Sequence, residues 1–354
     1  MNNYSFLSKV LHRQFLKDGV LSDLLIKKIQ SRKVSIDFSD GNHIFITGLA
    51  RSGTTAILNS LDSSNIFASL RYKYMPFILY PLMAKIYIEF FSSNKTEAIP
   101  REHGDGIYIS QNSCECLDEP YWKNNPKNII NKNNDGLHPI DLEKIALDGY
   151  SNLLNQFMKI EGRKRFLIKN NNHHLRLNSL TSYFKNSKFI ILFRSPLFQA
   201  ISLLNTHKKF ISLQKKDYFV YEYMNMLCHR EFGLGIKPFI YKDYQNEEMR
   251  LLKNESINYW IQQWINTYSY ILTEINPIKN VFLVCYESLC NEKYYYQKLL
   301  NFINIDINSL NCDLNLANYK YDLEFKDVDQ ERLSKANNIY NQLMLLSNKK
   351  LNYI

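Results

Sequence analysis

The stretch Gly48-Leu49-Ala50-Arg51-Ser52-Gly53-Thr54-Thr55 constrains this chain more than any other. The apolar run Ile44-Phe45-Ile46 leads into it, and the helix-like segment Ala56 to Leu61 leads out. Its glycines have the spacing of a phosphate-binding P-loop, with Thr54 where the nucleotide-hydrolysing version carries lysine. That lysine grips the terminal phosphates of a triphosphate, so its absence argues for a nucleotide with a different tail. Backbone N–H groups of such a turn point inward, and the helix N-terminus adds partial positive charge. Arg51 offers a bidentate clamp for an oxyanion, and Ser52, Thr54 and Thr55 offer hydroxyls beside Gly53. The plainer alternative is an ordinary strand–helix turn capped by Ser and Thr.

A second element has the same grammar. Lys188 to Phe193 reads as a buried strand and runs into Arg194-Ser195-Pro196. Ser195 suits an N-cap and Pro196 the first helical position. Ser202 follows Ser195 by about two helical turns and returns to nearly the same face. Arg194 and Ser202 are thereby expected to grip one phosphate together. The alternative is a surface arginine and a serine bonded to its own helix backbone.

Together these elements resemble the sulfotransferase family that uses 3′-phosphoadenosine 5′-phosphosulfate (PAPS). The resemblance spans residues 43 to about 303. It implies that Arg51, Ser52, Gly53, Thr54 and Thr55 hold the 5′-phosphosulfate and that Arg194 and Ser202 hold the 3′-phosphate. It further implies a strand-end lysine near the sulfonate, supplied by Phe166-Leu167-Ile168-Lys169, and adenine contact at Tyr286, which ends the run Val281 to Tyr286. The implied fold is the P-loop-NTPase-like sulfotransferase fold. Two departures stand out. Asn171 occupies the place where cytosolic small-molecule members carry a histidine base, and no Arg-Lys-Gly segment closes the chain. The chain is therefore more similar to the diverse bacterial and Golgi-type members.

Charge explains why these groups are needed. In sulfuryl transfer a planar group passes in line between two oxygens, and negative charge grows on the leaving bridging oxygen. Fixed cations aimed there are the largest catalytic contribution expected, which assigns Lys169 and Arg51. The arrangement calls for no metal. The acceptor must lose a proton, and the loop Pro100 to Gly106 supplies His103 as base with Asp105 to orient it or to act itself. Glu115 and Glu119 are rival bases, and an ordinary turn role for His103 and Asp105 has equal weight.

Strand-like runs at 44–47, 166–169, 189–193 and 281–286 alternate with helical patterns. This predicts an α/β fold with a parallel central sheet wound by helices. Residues 1–40 read as a helical N-terminal extension, 41–310 as the α/β domain with an acceptor-side insertion at 62–135, and 311–354 as a C-terminal helical segment. Asp141 is expected to cap a helix, Arg163-Lys164-Arg165 to be solvated, and the tract Asn124 to Asp135 to be a solvated loop. A formal net charge of +10 suits an anionic donor and an anionic acceptor such as a glycan or lipid headgroup. No zinc-finger or RNA-recognition signature supports nucleic acid as the partner. Six scattered cysteines and the lack of an apolar leader segment point to reduced thiols and a cytoplasmic setting. The apolar region Met75 to Phe91 contains Lys85 and Glu89 and is too short and too charged for a transmembrane reading. Two rivals to a PAPS-dependent sulfotransferase remain: a P-loop kinase or NTPase, and a non-catalytic nucleotide- or glycan-binding protein of the same fold.

Overall fold

In a computed structural model of the chain, the run after His43 forms strand β1 (Ile44–Thr47), buried at every position. The structure describes residues 5–17, 19–32, 41–91, 98–100, 108–125, 127–130, 135–241, 246–275, 279–311, 314, 316 and 327–351. Strands β2 (Phe67–Ala68), β3 (Ile99–Pro100), β4 (Tyr108–Ile109), β5 (Arg165–Lys169), β6 (Lys188–Phe193) and β7 (Val281–Cys285) follow. Five of them make one sheet in the order β2-β5-β1-β6-β7, and every neighbouring pair is parallel. Strands β3 and β4 form a separate antiparallel pair. Helices cover both faces of the sheet, so its strands are near-continuous apolar runs, and four were visible in the sequence for that reason. Strand β2 was not: two residues are too few for any period. It lies within the expected 62–135 insertion, so that segment contributes an edge strand to the central sheet.

The N-terminal helices are α1 (Phe6–Leu16) and α2 (Val20–Gln30). Next come α3 (Thr54–Asp62), α4 (Pro81–Phe91), α5 (Glu119–Lys123), α6 (Lys144–Glu161) and α7 (Leu177–Tyr183). The remainder are α8 (Pro196–Lys216), α9 (Tyr218–Met226), α10 (Asn246–Leu251), α11 (Ile257–Ile275), α12 (Tyr286–Asn291), α13 (Lys293–Phe302) and α14 (Gln330–Leu351). Helix α11 buries Trp260, Ile261, Trp264, Tyr268 and Ile271 along one stripe. Helix α14 lies against β7, where Ser347 Oγ donates to Leu283 O at 2.8 Å.

Three local expectations are corrected. Helix α6 is capped at Glu143, not Asp141, because the Glu143 carbonyl accepts the amides of Ala146 and Leu147 at 3.0 and 3.2 Å. Arg165 is not a solvated charge: Nε donates to Asn42 O at 2.7 Å and Nη2 to Ile303 O at 2.9 Å, and the guanidinium lies over Phe67. Asn125 is buried, with Nδ2 bonded to Tyr121 O at 2.6 Å. Among the described residues, no helix is long and apolar enough to cross a membrane.

Candidate functional site

At the end of β1 the chain turns against its neighbour strand. Gly48 has φ +132°, and a Cβ there would sit 2.3 Å from Leu192 O of β6, so only glycine lets the loop run this close. Arg51 is also left-handed, at φ 68°. Gly53 caps α3 at φ +95°, and a Cβ on it would meet Tyr286 Cδ2 at 2.6 Å. The loop is held from behind: Gln199 Nε2 donates to both Leu49 O and Ala50 O at 3.0 Å. Gln199 is in turn oriented by Trp264, whose Nε1 reaches its Oε1 at 2.9 Å. Ser52 and Thr54 are buried and Thr55 half-buried. Thr54 Oγ1 donates to Asn171 Oδ1 at 3.4 Å.

Strand register builds the second wall. Phe193 of β6 is paired with Cys285 of β7, so the residue that follows each strand, Arg194 and Tyr286, emerges at the same level. The Arg194 guanidinium stacks on the Tyr286 ring, 4.5 Å from its centroid. Arg194 is buried, its Nε makes no hydrogen bond, and Glu287 Oε1 lies 4.0 Å away. That same oxygen accepts the Ser195 amide at 3.0 Å. Ser195 precedes α8 with Pro196 in its first turn, as expected, although the serine side chain makes no capping bond. Ser202 Oγ accepts a hydrogen bond from Arg51 Nε at 3.0 Å. The structure thus joins Ser202 to the phosphate loop, while Arg194 takes Tyr286 as its partner. Tyr286 itself opens α12 and is not the last residue of the strand, which ends at Cys285.

The third strand end carries Lys169, paired in register with Ile46 of β1. Its Nζ donates to Glu115 Oε1 at 2.8 Å, and both side chains are more than nine-tenths buried. Glu119, the rival base, is occupied structurally: it accepts Arg176 at 2.6 and 3.2 Å and Asn170 Nδ2 at 2.6 Å. Asp118 likewise accepts Tyr150 Oη at 2.7 Å and Trp122 Nε1 at 3.1 Å. His173 and His174 fall in a 3₁₀ turn, Asn171–Arg176, and both are fully buried. Burial pushes both imidazoles below their ordinary range, His174 to about 4, so they stay neutral. His103 and Asp105 lie outside the described residues. Among the described residues no cluster of His, Cys, Asp or Glu has a metal-binding arrangement.

Sequence reasoning missed Gln199, Trp264 and Glu231. The first two carry no motif, since their roles depend on helix packing. Glu231 is buried, with Oε2 lacking a hydrogen-bond partner and Oε1 3.6 Å from His229 Nδ1. Burial pushes its carboxyl up, but His229, with a smaller contribution from Lys169, holds it below the usual carboxylate range. Lys169 therefore has a second carboxylate in its electrostatic neighbourhood.

Three bacterial sulfotransferases of known structure are similar to this chain. Sulfotransferase STF1 of Mycobacterium tuberculosis H37Rv aligns at 11% identity and a TM-score of 0.48, covering 86% of this chain and 78% of that one. Sulfotransferase STF9 of Mycobacterium avium aligns at 11% identity and 0.42, covering 97% and 89%. A sulfotransferase from Alicyclobacillus acidocaldarius aligns at 9% identity and 0.36, covering 88% and 92%. No curated protein matches the sequence. A model of the sulfotransferase family matches residues 43–231, more than half of the chain, and takes in the phosphate loop, Lys169, Arg194 and Ser202. On that match the chain belongs to the sulfotransferase family.

Proposed function

We propose that this protein transfers a sulfonate from PAPS to a hydroxyl or amine of an acceptor. The observation that carries the reading is the Tyr286 ring. It fills the space beside Gly53 and also stacks under Arg194, so the loop and the second cation meet on one ring. The residues fit a doubly phosphorylated adenosine. The loop lacks the lysine of triphosphate-binding loops, and the buried Arg194 keeps an Nε–H with no hydrogen-bond acceptor.

PAPS supplies the activated sulfonate. The amides of residues 52–55 and the hydroxyls of Ser52, Thr54 and Thr55 would hold its 5′ end, with Arg51 steadied by Ser202. Arg194 would hold the 3′-phosphate, and Tyr286 would pack on the nucleoside. Lys169 would hold positive charge where the leaving oxygen becomes negative. Glu115 then takes the acceptor proton, since it is the carboxylate that touches Lys169. His103 with Asp105 is the rival base. The acceptor class that suits a formal charge of +10 is an anionic glycan, lipid headgroup or metabolite.

Thermal-shift titration with 3′-phosphoadenosine 5′-phosphate, ATP and 5′-AMP tests the donor. A ligand that binds only the folded state raises stability by mass action. The bisphosphate should raise Tm more than the other two. Equal shifts, or a magnesium-dependent preference for ATP, would remove PAPS in favour of a kinase-like reading. Bisphosphate binding with no transfer to any member of an acceptor library would favour a non-catalytic binding protein.

A further inference from the structure

Helices α1 and α2 expose apolar side chains in an ordered way. On α1, Phe6, Val10 and Arg13 recur at helical spacing, with Lys17 at the C-cap, and Phe6 is 83% exposed. On α2, Val20, Leu24 and Lys27 do the same, with Ser31 at the C-cap, and Val20 is 78% exposed. The two stripes are contiguous. A groove of about 450 Å³ between the helices is lined from one side by Arg13 and Lys17 and from the other by Val20 and Leu24.

A third helix adds to this surface. Phe15 of α1 packs against Phe77 and Tyr80 at centroid distances of 4.8 and 6.0 Å, and α4 begins one residue later at Pro81. Helix α4 exposes Leu82, Met83, Ile86 and Phe90. Helices α1, α2 and α4 supply nine of the seventeen exposed large apolar side chains among the described residues. Clustering of this kind, unlike scattered exposed leucines, marks a contact surface.

We infer that this surface docks on an anionic lipid bilayer. Charge selects the occupant. Residues 5–32 hold six Lys and Arg against two Asp; Lys9 and Arg13 are paired with Asp217 and Glu222, and Lys17, Lys27 and Lys28 are exposed beside the apolar stripes. Apolar side chains with a basic fringe and modest overall hydrophobicity are the signature of a helix that lies in the membrane interface. Basic residues at that depth are attracted by anionic headgroups. None of these side chains belongs to the donor crevice, so the inference does not rest on the PAPS reading.

The test is vesicle flotation of the full chain with phosphatidylcholine alone and with phosphatidylcholine containing a quarter phosphatidylglycerol. The protein should float at least tenfold more with the anionic vesicles, and 0.5 M salt should release most of it. The variant Phe6→Ser/Val20→Ser/Leu24→Ser and the variant Lys17→Glu/Lys27→Glu/Lys28→Glu should each abolish flotation. Unchanged melting temperature in both would show that the fold survives. No flotation of the unmodified protein, or flotation that persists in both variants, overturns the inference. So does a dimer in sedimentation velocity that only the apolar variant dissociates, since the surface would then serve a second copy of the chain.

Discussion

Arg51 Nε donates to Ser202 Oγ at 3.0 Å, joining two residues 151 positions apart. One lies in the loop after β1 and the other two turns into α8, so the bond ties these two elements, proposed above to hold the donor, into one unit. Arg51→Ala should weaken binding of 3′-phosphoadenosine 5′-phosphate by roughly 10- to 100-fold, the usual cost of one charge-assisted contact. Ser202→Ala should weaken it less, and the double variant should fall short of the sum, because neighbours in one network are not additive. Calorimetric titration of the three variants measures this. Strict additivity would show that the bond does not organise the nucleotide site.

Gly53 tests the packing of the crevice. Alanine there meets both a φ of +95° and the edge of Tyr286. Gly53→Ala should lower stability by about 1–3 kcal/mol. Adding Tyr286→Ala should recover the steric part of the loss and leave the backbone part. Urea melts resolve the two. A fully neutral Gly53→Ala would mean that the loop can move away from the ring.

Glu115 and Glu119, four positions apart, should separate cleanly. Glu119→Gln strips Arg176 of its closest counter-charge in a fully buried pair and should cost about 3–5 kcal/mol. Glu115→Gln should leave bisphosphate affinity within roughly threefold while lowering kcat by about 10²–10⁴-fold and removing the acidic limb of the pH–rate profile. If Glu115→Gln keeps that limb and His103→Ala loses it, the base lies in the 100–106 loop.

Burial of His174 makes a pH prediction. Its ordinary value is 6.5 and its folded value about 4, with loss of solvation the first cause. Between these values the unfolded chain binds a proton that the folded chain refuses. Stability is therefore full above about pH 6.5 and falls as pH drops toward 4, by on the order of 3 kcal/mol for this residue. His173 is lowered too and acts in the same direction. Scanning calorimetry of His174→Gln should show a shallower fall of Tm over this range than the unmodified protein. An identical slope would assign the acid sensitivity to other groups.

What was legible in the sequence was local. The phosphate loop announces itself because strand, glycine turn and helix follow one another within twenty residues, and Ser195-Pro196 marks the start of α8 for the same reason. Arg194 and Ser202 were legible from the strand–turn–helix spacing around Pro196 and Lys169 only through resemblance to a family, and neither signal said which partners they take. Lys169 meets Glu115 across 54 positions and Trp264 meets Gln199 across 65, and no periodicity encodes such meetings. Strand β2 was hidden by its brevity, and Tyr286 was placed one residue too deep because a buried strand and the first turn of a buried helix look alike in composition.

The grip of Gln199 on the loop has an electrostatic corollary. A trans peptide plane carries its oxygen and its hydrogen on opposite edges. With the oxygens of Leu49 and Ala50 drawn toward α8, the hydrogens on Ala50 and Arg51 are aimed the other way. A glutamine from a distant helix thereby sets the direction of two peptide dipoles in the turn, their carbonyl ends drawn toward α8. In the proposed donor site these dipoles would answer in part for the absent lysine, their direction already fixed by the packing of α8.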